Sequence, residues 1–192
     1  MTLLSSLPQA GVRNSVFHTM YSRRATRSYL NRRVPRPVIE QLIDAGKMAP
    51  SAINLQPYRL LITDDPEKIK RFSAAIVKAG ESFFHLAHGI SLAATEDPIF
   101  YHAPVVVFLI GPEEDPWAAM DIGMCAENIM LAAKSIGLDT CPIGFATLIA
   151  QTPVLPELKL EEKEKVYLAL TIGYGDDTPV FHGRRDDNVS YL

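Results

Sequence analysis

The sequence predicts one domain of mixed helices and strands that is not a doubly wound dinucleotide fold. Helical and strand patterns alternate irregularly along the chain. Its glycine-rich turn, Gly173-Tyr174-Gly175, follows the last strong strand, whereas a doubly wound fold places such a turn after the first. That turn lacks a third glycine, and Asp176, Asp177, Thr178 and Pro179 follow it where a nucleotide-binding helix would begin. The 192 residues suit one domain, and 47% apolar against 21% charged residues are the proportions of a chain that buries a core.

Asn14 or Ser15 caps a first helix, whose Val16, Phe17, Met20 and Tyr21 recur at turn spacing. That helix delivers Arg23 and Arg24 at its C-terminal end. Pro35 and Pro37 announce a second helix, at positions where a missing N–H is harmless. Its Val38, Leu42, Ile43 and Ala49 keep helical spacing, and Pro50 stops it. Ser51 to Pro57 is a loop by composition, Tyr58 to Thr63 a strand, and Asp65-Pro66 the start of a third helix. Glu81 to Ala94 reads as helix and Glu96 to Tyr101 as irregular. Val105 to Ile110 is a continuous apolar run suited to a central strand. The helix after Pro116 is apolar on almost every side, so it is expected to be buried on several faces, with a partner subunit as one candidate cover. Gly137-Leu138 reads as its left-handed C-cap. Thr140 to Ile143 is a short strand and Lys165 to Thr171 a longer one.

A formal net charge of -3 gives no expectation of nucleic-acid binding. Arginines cluster locally instead, at Arg23, Arg24 and Arg27, at Arg32 and Arg33, and at Arg184 and Arg185, as local anion sites would. Cys125 and Cys141 lack metal-site spacing and read as buried thiols of a reducing compartment. Met1 to Gly11 does not read as a signal peptide, so a cytoplasmic location is expected. Asp121, Glu127, Asn128 and Lys134 interrupt the longest apolar stretch, Ala118 to Leu138, so no membrane span is expected. His85 and His88 could share a helix face, but no third ligand accompanies them and no metal is expected.

Four segments carry candidate chemistry. Arg23-Arg24-Ala25-Thr26-Arg27 places three guanidiniums within five residues, where they can converge on a phosphate; alone, a solvated basic turn is the commoner reading. Ala49 to Pro57 puts a hydroxyl and two amides between two prolines, groups that suit a planar heterocycle or a sugar chain, although such a loop could equally just turn the chain. Pro142-Ile143-Gly144 ends a strand with a glycine that lets backbone N–H groups approach a ligand. Gly183-Arg184-Arg185 is a second candidate phosphate clamp in a polar tail.

In order and spacing these segments resemble the nitroreductase family of FMN enzymes: RRxxR, then a helix, then APSxxNxQP before a strand. Ala103-Pro104, Asp121-Ile122-Gly123 through Asn128, Pro142-Ile143-Gly144 and Ile172-Gly173-Tyr174 extend the likeness from about Phe17 to Arg185. The resemblance implies an α+β sandwich, with helices around a mixed central sheet, in an intertwined homodimer that holds two FMN molecules at the subunit interface. Residues 1–192 are then one FMN-binding domain, with 1–14 an N-terminal extension. Arg23 and Arg24 would lie at the ribityl phosphate, and Arg27 at the pyrimidine edge of the flavin. Pro50, Ser51 and Asn54 would come from the opposite subunit. Pro142, Ile143 and Gly144 would present backbone to the ring, and Arg184 and Arg185 would complete the phosphate site. The family usually has serine where this chain has Ala25, and a lost hydrogen bond to a charged group weighs about 1.5–3 kcal/mol. The implied activity is ping-pong: NADH or NADPH reduces FMN and leaves, then a small organic acceptor (a nitroaromatic, quinone or activated alkene) is reduced. Flavin fragmentation, dehalogenation and non-catalytic FMN storage are the alternatives the resemblance leaves open. No acid–base side chain is named, and residues 81–101 match no family motif.

Overall fold

The computed structural model describes residues 15–86, 96–180, 182–185 and 187–192. It contains helices α1 (Ser15–Ser22), α2 (Arg36–Lys47), α3 (Pro66–Leu86) and α4 (Ala118–Ser135), and strands β1 (Arg59–Thr63), β2 (Val105–Pro112), β3 (Asp139–Ile143) and β4 (Glu164–Gly173). Short 3₁₀ segments occupy Ala52–Asn54, Gly144–Gln151 and Leu155–Leu158. The expected helix of residues 81–94 continues α3 as far as Leu86; the rest of it, with His88, lies outside the described residues, as does Asn14.

The strands form one sheet in the order β1-β2-β4-β3, and every strand pair is antiparallel. The parallel component of the expected mixed sheet is reduced, among the described residues, to one bridge outside the strands, between Ala25 and Thr140. β2 lies inside the sheet and its side chains serve two cores in alternation. Val105, Val107 and Leu109 face α2 and α4, against residues such as Leu42, Ile122 and Ile129. Val106, Phe108 and Ile110 face α3 and the 3₁₀ segment of Gly144–Gln151, against Ile76, Phe100 and Ile149. Helices thus cover both faces of an antiparallel sheet, the α+β sandwich. Burial on both faces explains why β2 reads as an unbroken apolar run.

Two glycines fix the helix packing and its end. A Cβ on Gly46 of α2 would stand 2.6 Å from Ile129 Cγ1 and 3.2 Å from Cys125 Sγ, so glycine is what lets α2 and α4 approach. Gly137 is left-handed at φ 81°, and the Leu138 N–H then donates to the Ala133 carbonyl at 2.9 Å, closing α4 as its sequence predicts. No helix among the described residues is long and apolar enough to cross a membrane.

Candidate functional site

α1 ends at Ser22, and the arginine segment leaves it along the edge of β3. The Thr26 N–H donates to the Thr140 carbonyl at 3.1 Å, beside the Ala25–Thr140 bridge. Tyr29 then locks the segment onto the sheet. Its buried hydroxyl donates to the Thr26 carbonyl at 3.0 Å and lies 2.8 Å from Thr171 Oγ1, while the Leu30 and Asp176 N–H groups donate to the Tyr174 and Ser28 carbonyls. Burial pushes the Tyr29 hydroxyl far above its ordinary pKa, so it serves as a neutral hydrogen-bonding group.

The three arginines have different surroundings. Arg23 Nε lies 3.5 Å from Glu127 Oε1 of α4, yet it is buried and has no hydrogen-bond partner. Arg24 curls back onto the end of α1, where its Nη1 donates to the Tyr21 carbonyl at 2.8 Å and to that of Arg23 at 2.6 Å. The Arg27 backbone N–H donates to Asp177 at 3.2 Å. Burial works against the Arg27 charge, but nearby Cys141, Tyr101 and Asp177 outweigh it and hold the pKa above the ordinary value. Cys141 is itself pushed up by burial, with Arg27 and Arg23 pulling the other way. Both arginines therefore act on Cys141 of β3 as nearby positive charges.

Pro142 and Ile143 close β3, and Gly144 opens the 3₁₀ segment that runs to Gln151, where the sequence suggests only a strand-end turn. The Ile143 side chain is in the core, so only its backbone can face a ligand. A Cβ built on Gly144 meets nothing within 4 Å, so nothing in this chain requires glycine there. The RRxxR segment pairs at Thr140 with β3, the strand that Pro142 and Ile143 close.

The loop of Pro50, Ser51 and Asn54 lies elsewhere, against the first turn of α4. Buried Asp121 accepts the Ala52 N–H at 3.1 and 3.3 Å, and Ser51 Oγ accepts the Gln56 N–H at 2.9 Å. Ile53, Asn54 and Gln56 all have positive φ, at 45°, 60° and 48°. For β-branched Ile53 this is unusual backbone, and its side chain is 90% exposed. Arg184 and Arg185 are not brought to the arginine segment. Arg184 donates to the His182 carbonyl and Arg185 pairs with Asp187, all in an exposed tail.

Sequence reasoning missed Tyr101, Asp97 and Thr140, and the structural use of Asp121. A carboxylate among apolar residues was the available signal for Asp121. Thr140 carries a buried hydroxyl without a hydrogen-bond partner, a feature no local pattern encodes. Among the described residues no group of three or more His, Cys, Asp or Glu could hold a metal ion.

An α+β sandwich with an arginine-rich segment paired along a strand edge defines a class, and comparison names it. The model of the nitroreductase family matches residues 20–174, and the chain belongs to that family. The 4-nitrobenzoate reductase of Pseudomonas putida is 25% identical over 199 residues, spanning 85% of this chain and 87% of its own. Protein DrgA of Synechocystis sp. is 30% identical over 149 residues, spanning 67% and 71%. A nitroreductase with bound FMN from Desulfitobacterium hafniense DCB-2 shares the fold with a TM-score of 0.82 at 20% identity, over 94% of this chain and 100% of its own.

Proposed function

We propose that this chain is an FMN-dependent oxidoreductase that moves hydride from NADH or NADPH to a small organic acceptor, a nitroaromatic, quinone or activated alkene, and works as a homodimer. One observation carries the reading: Arg23 and Arg27 both lie near Cys141 of β3, and Arg23 Nε, 3.5 Å from Glu127 of α4, is buried without a hydrogen bond. An orphaned guanidinium N–H is unfavourable unless an acceptor completes it, and a phosphate oxygen is such an acceptor. The open space at Gly144 suits a planar ring lying close to the backbone. The residues therefore fit the cofactor, and relatives named as nitroreductases support the choice.

When bound, FMN supplies the two-electron hydride chemistry. The chain's own part is to bind and to orient. Arg23 and Arg24 would carry the charge for the phosphate, and Arg27 would put a stabilising cation at the pyrimidine edge of the flavin. Pro50, Ser51 and Asn54 serve the partner's site. Arg184 and Arg185 reach a phosphate only from a tail that docks elsewhere than on its own body.

The homodimer is supported by apolar surface that this chain leaves uncovered. Phe17 and Met20 of α1, Met120 and Met124 of α4, and Ile53 and Leu55 of the loop are all exposed. The free edge of β1, which pairs with β2 alone among the described strands, adds to this. A cytoplasmic location is supported by two buried, unpaired cysteines.

The test is the visible spectrum of untagged protein before and after anaerobic NADPH. Flavin bands that bleach, and return with a nitroaromatic or quinone, are the expected result. A colourless protein that takes up no added FMN would overturn the proposal.

A further inference from the structure

Of the two arginines read at the phosphate, Arg24 has part of its guanidinium committed and Arg23 does not. Arg24 Nη1 donates to the Tyr21 carbonyl at 2.8 Å and to the Arg23 carbonyl at 2.6 Å, which folds it onto the end of α1. The Arg23 N–H donates to the Thr19 carbonyl at 2.9 Å, so Arg23 continues the last turn of α1. Its side chain lies against α4, with Nε 3.5 Å from Glu127 Oε1. That separation exceeds the normal length of an N–H···O bond, and Nε is buried without a hydrogen-bond partner. The Arg23 side chain is nevertheless 22% exposed, so atoms other than Nε reach solvent.

Folding stability does not explain a carboxylate in this place. The Glu127 side chain is 45% exposed, and ion pairs so open to water contribute little to stability. Lys134, two turns further along α4, shows the contrast: it donates to Asp139 at 2.8 Å and ties the helix to β3 with a hydrogen-bonded pair. Arg23 and Glu127 meet through charge alone. Glu127 balances the guanidinium while no anion is near, and it opposes an anion that arrives, because two anions beside one cation repel each other. An arginine placed to hold an anion as tightly as its charge allows would have no carboxylate beside it.

We propose that Glu127 is a built-in competitor for the Arg23 charge, a residue of α4 that limits how tightly this chain holds the phosphate of FMN. This rests on the reading of Arg23 at that phosphate. Glu127 acts on the cofactor through Arg23.

The experiment takes full-length Glu127→Gln, Arg23→Ala and the double variant, strips each of flavin, and titrates it with FMN and with riboflavin, the same flavin without its phosphate. Glu127→Gln is expected to keep its fold and to bind FMN about fivefold more tightly than the natural chain, the scale of one partly exposed ion pair. Its affinity for riboflavin should be unchanged. The gain should fade at about 1 M salt, where charges are screened within a few ångströms. In the Arg23→Ala background the same change should add little. A second readout needs no flavin: inorganic phosphate should raise the Tm of flavin-free Glu127→Gln more than that of the natural chain. Unchanged or weaker FMN binding in Glu127→Gln, beside a loss in Arg23→Ala, would overturn the competition and leave the phosphate reading standing. An equal gain for riboflavin would overturn it as well, because the effect would then not act on the phosphate. Unchanged FMN affinity in Arg23→Ala would take Arg23 away from the phosphate and overturn both readings.

Discussion

The carboxylate of Asp121, in the first turn of α4, accepts the backbone N–H of Ala52 at 3.1 and 3.3 Å, across 69 positions of sequence. This bond ties the strained loop of Ser51 to Pro57 to the helix that crosses the main core. Asp121 is buried, so its removal would leave the Ala52 N–H without its charged acceptor. Asp121→Ala should lower unfolding free energy by about 1.5–3 kcal/mol, the range for hydrogen bonds to charged groups. Urea titration checks it, and a loss within about 0.5 kcal/mol would show that the loop stands without this anchor.

A methyl group at Gly46 has nowhere to go. Its Cβ would lie 2.6 Å from Ile129 Cγ1 and 2.9 Å from Ile129 Cδ1, so α2 and α4 must part or Ile129 must leave its rotamer. Gly46→Ala should therefore be destabilising by about 1–3 kcal/mol, although alanine is the better helix former. Thermal unfolding decides between the two effects. A raised Tm would mean that propensity outweighs the clash.

These two cases mark what the sequence could and could not disclose. β2 and the Gly137-Leu138 cap were legible because each is local: an apolar run, and a glycine at a left-handed position. The arginine segment and the Asn54 loop were legible only through their joint resemblance to a family, since each alone reads as a solvated turn. The left-handed residues Ile53, Gln56, Tyr101 and His102 were not legible. None is glycine, and their conformations are imposed by Asp121, Ser51 and Asp97 from elsewhere in the fold. The 3₁₀ segment after Gly144 was missed for a related reason: its turns are held by packing of Ala146 and Ile149, not by a cap or a helical repeat of polar residues.

Gly144 separates folding from binding. Because a Cβ there meets no atom within 4 Å, Gly144→Ala should leave the urea midpoint essentially unchanged. If a flavin ring lies against this backbone, the same variant should bind FMN at least about tenfold more weakly, a difference of roughly 1.4 kcal/mol. Fluorescence titration of flavin-free protein measures it. Equal affinity would take the ring away from Gly144.

Acid should act on the far side of the sheet through Glu164. Its Oε1 accepts Arg59 Nε at 3.1 Å, and Oε2 accepts the Glu161 N–H at 2.8 Å. The bond from Arg59 holds this carboxyl below its ordinary value of 4.5, against the effect of burial. The unfolded chain therefore takes up this proton at higher pH than the folded one. The contribution is complete above about pH 4.5 and is lost as pH falls through the lower folded value. Urea midpoints measured from about pH 6 to about pH 3 should fall less steeply for Glu164→Gln than for the natural chain. Parallel slopes would mean that the partly exposed Arg59 is screened enough to contribute nothing.

The tail should matter to assembly more than to folding. Val180 and Tyr191 are 72% and 97% exposed, and the polar bonds of Arg184 and Arg185 stay within the tail itself. Apolar side chains displayed in this way gain little from their own chain and much from a partner. A chain ending after Thr178 should keep its far-ultraviolet circular dichroism and its cooperative urea transition. It should also run as a monomer in light scattering and lose flavin on gel filtration, because Arg184 and Arg185 are gone and Ser51 and Asn54 no longer meet a second site. If the shortened chain stays a flavin-loaded dimer, the interface rests on α1 and α4 alone. The tail arginines would then have no part in holding the phosphate.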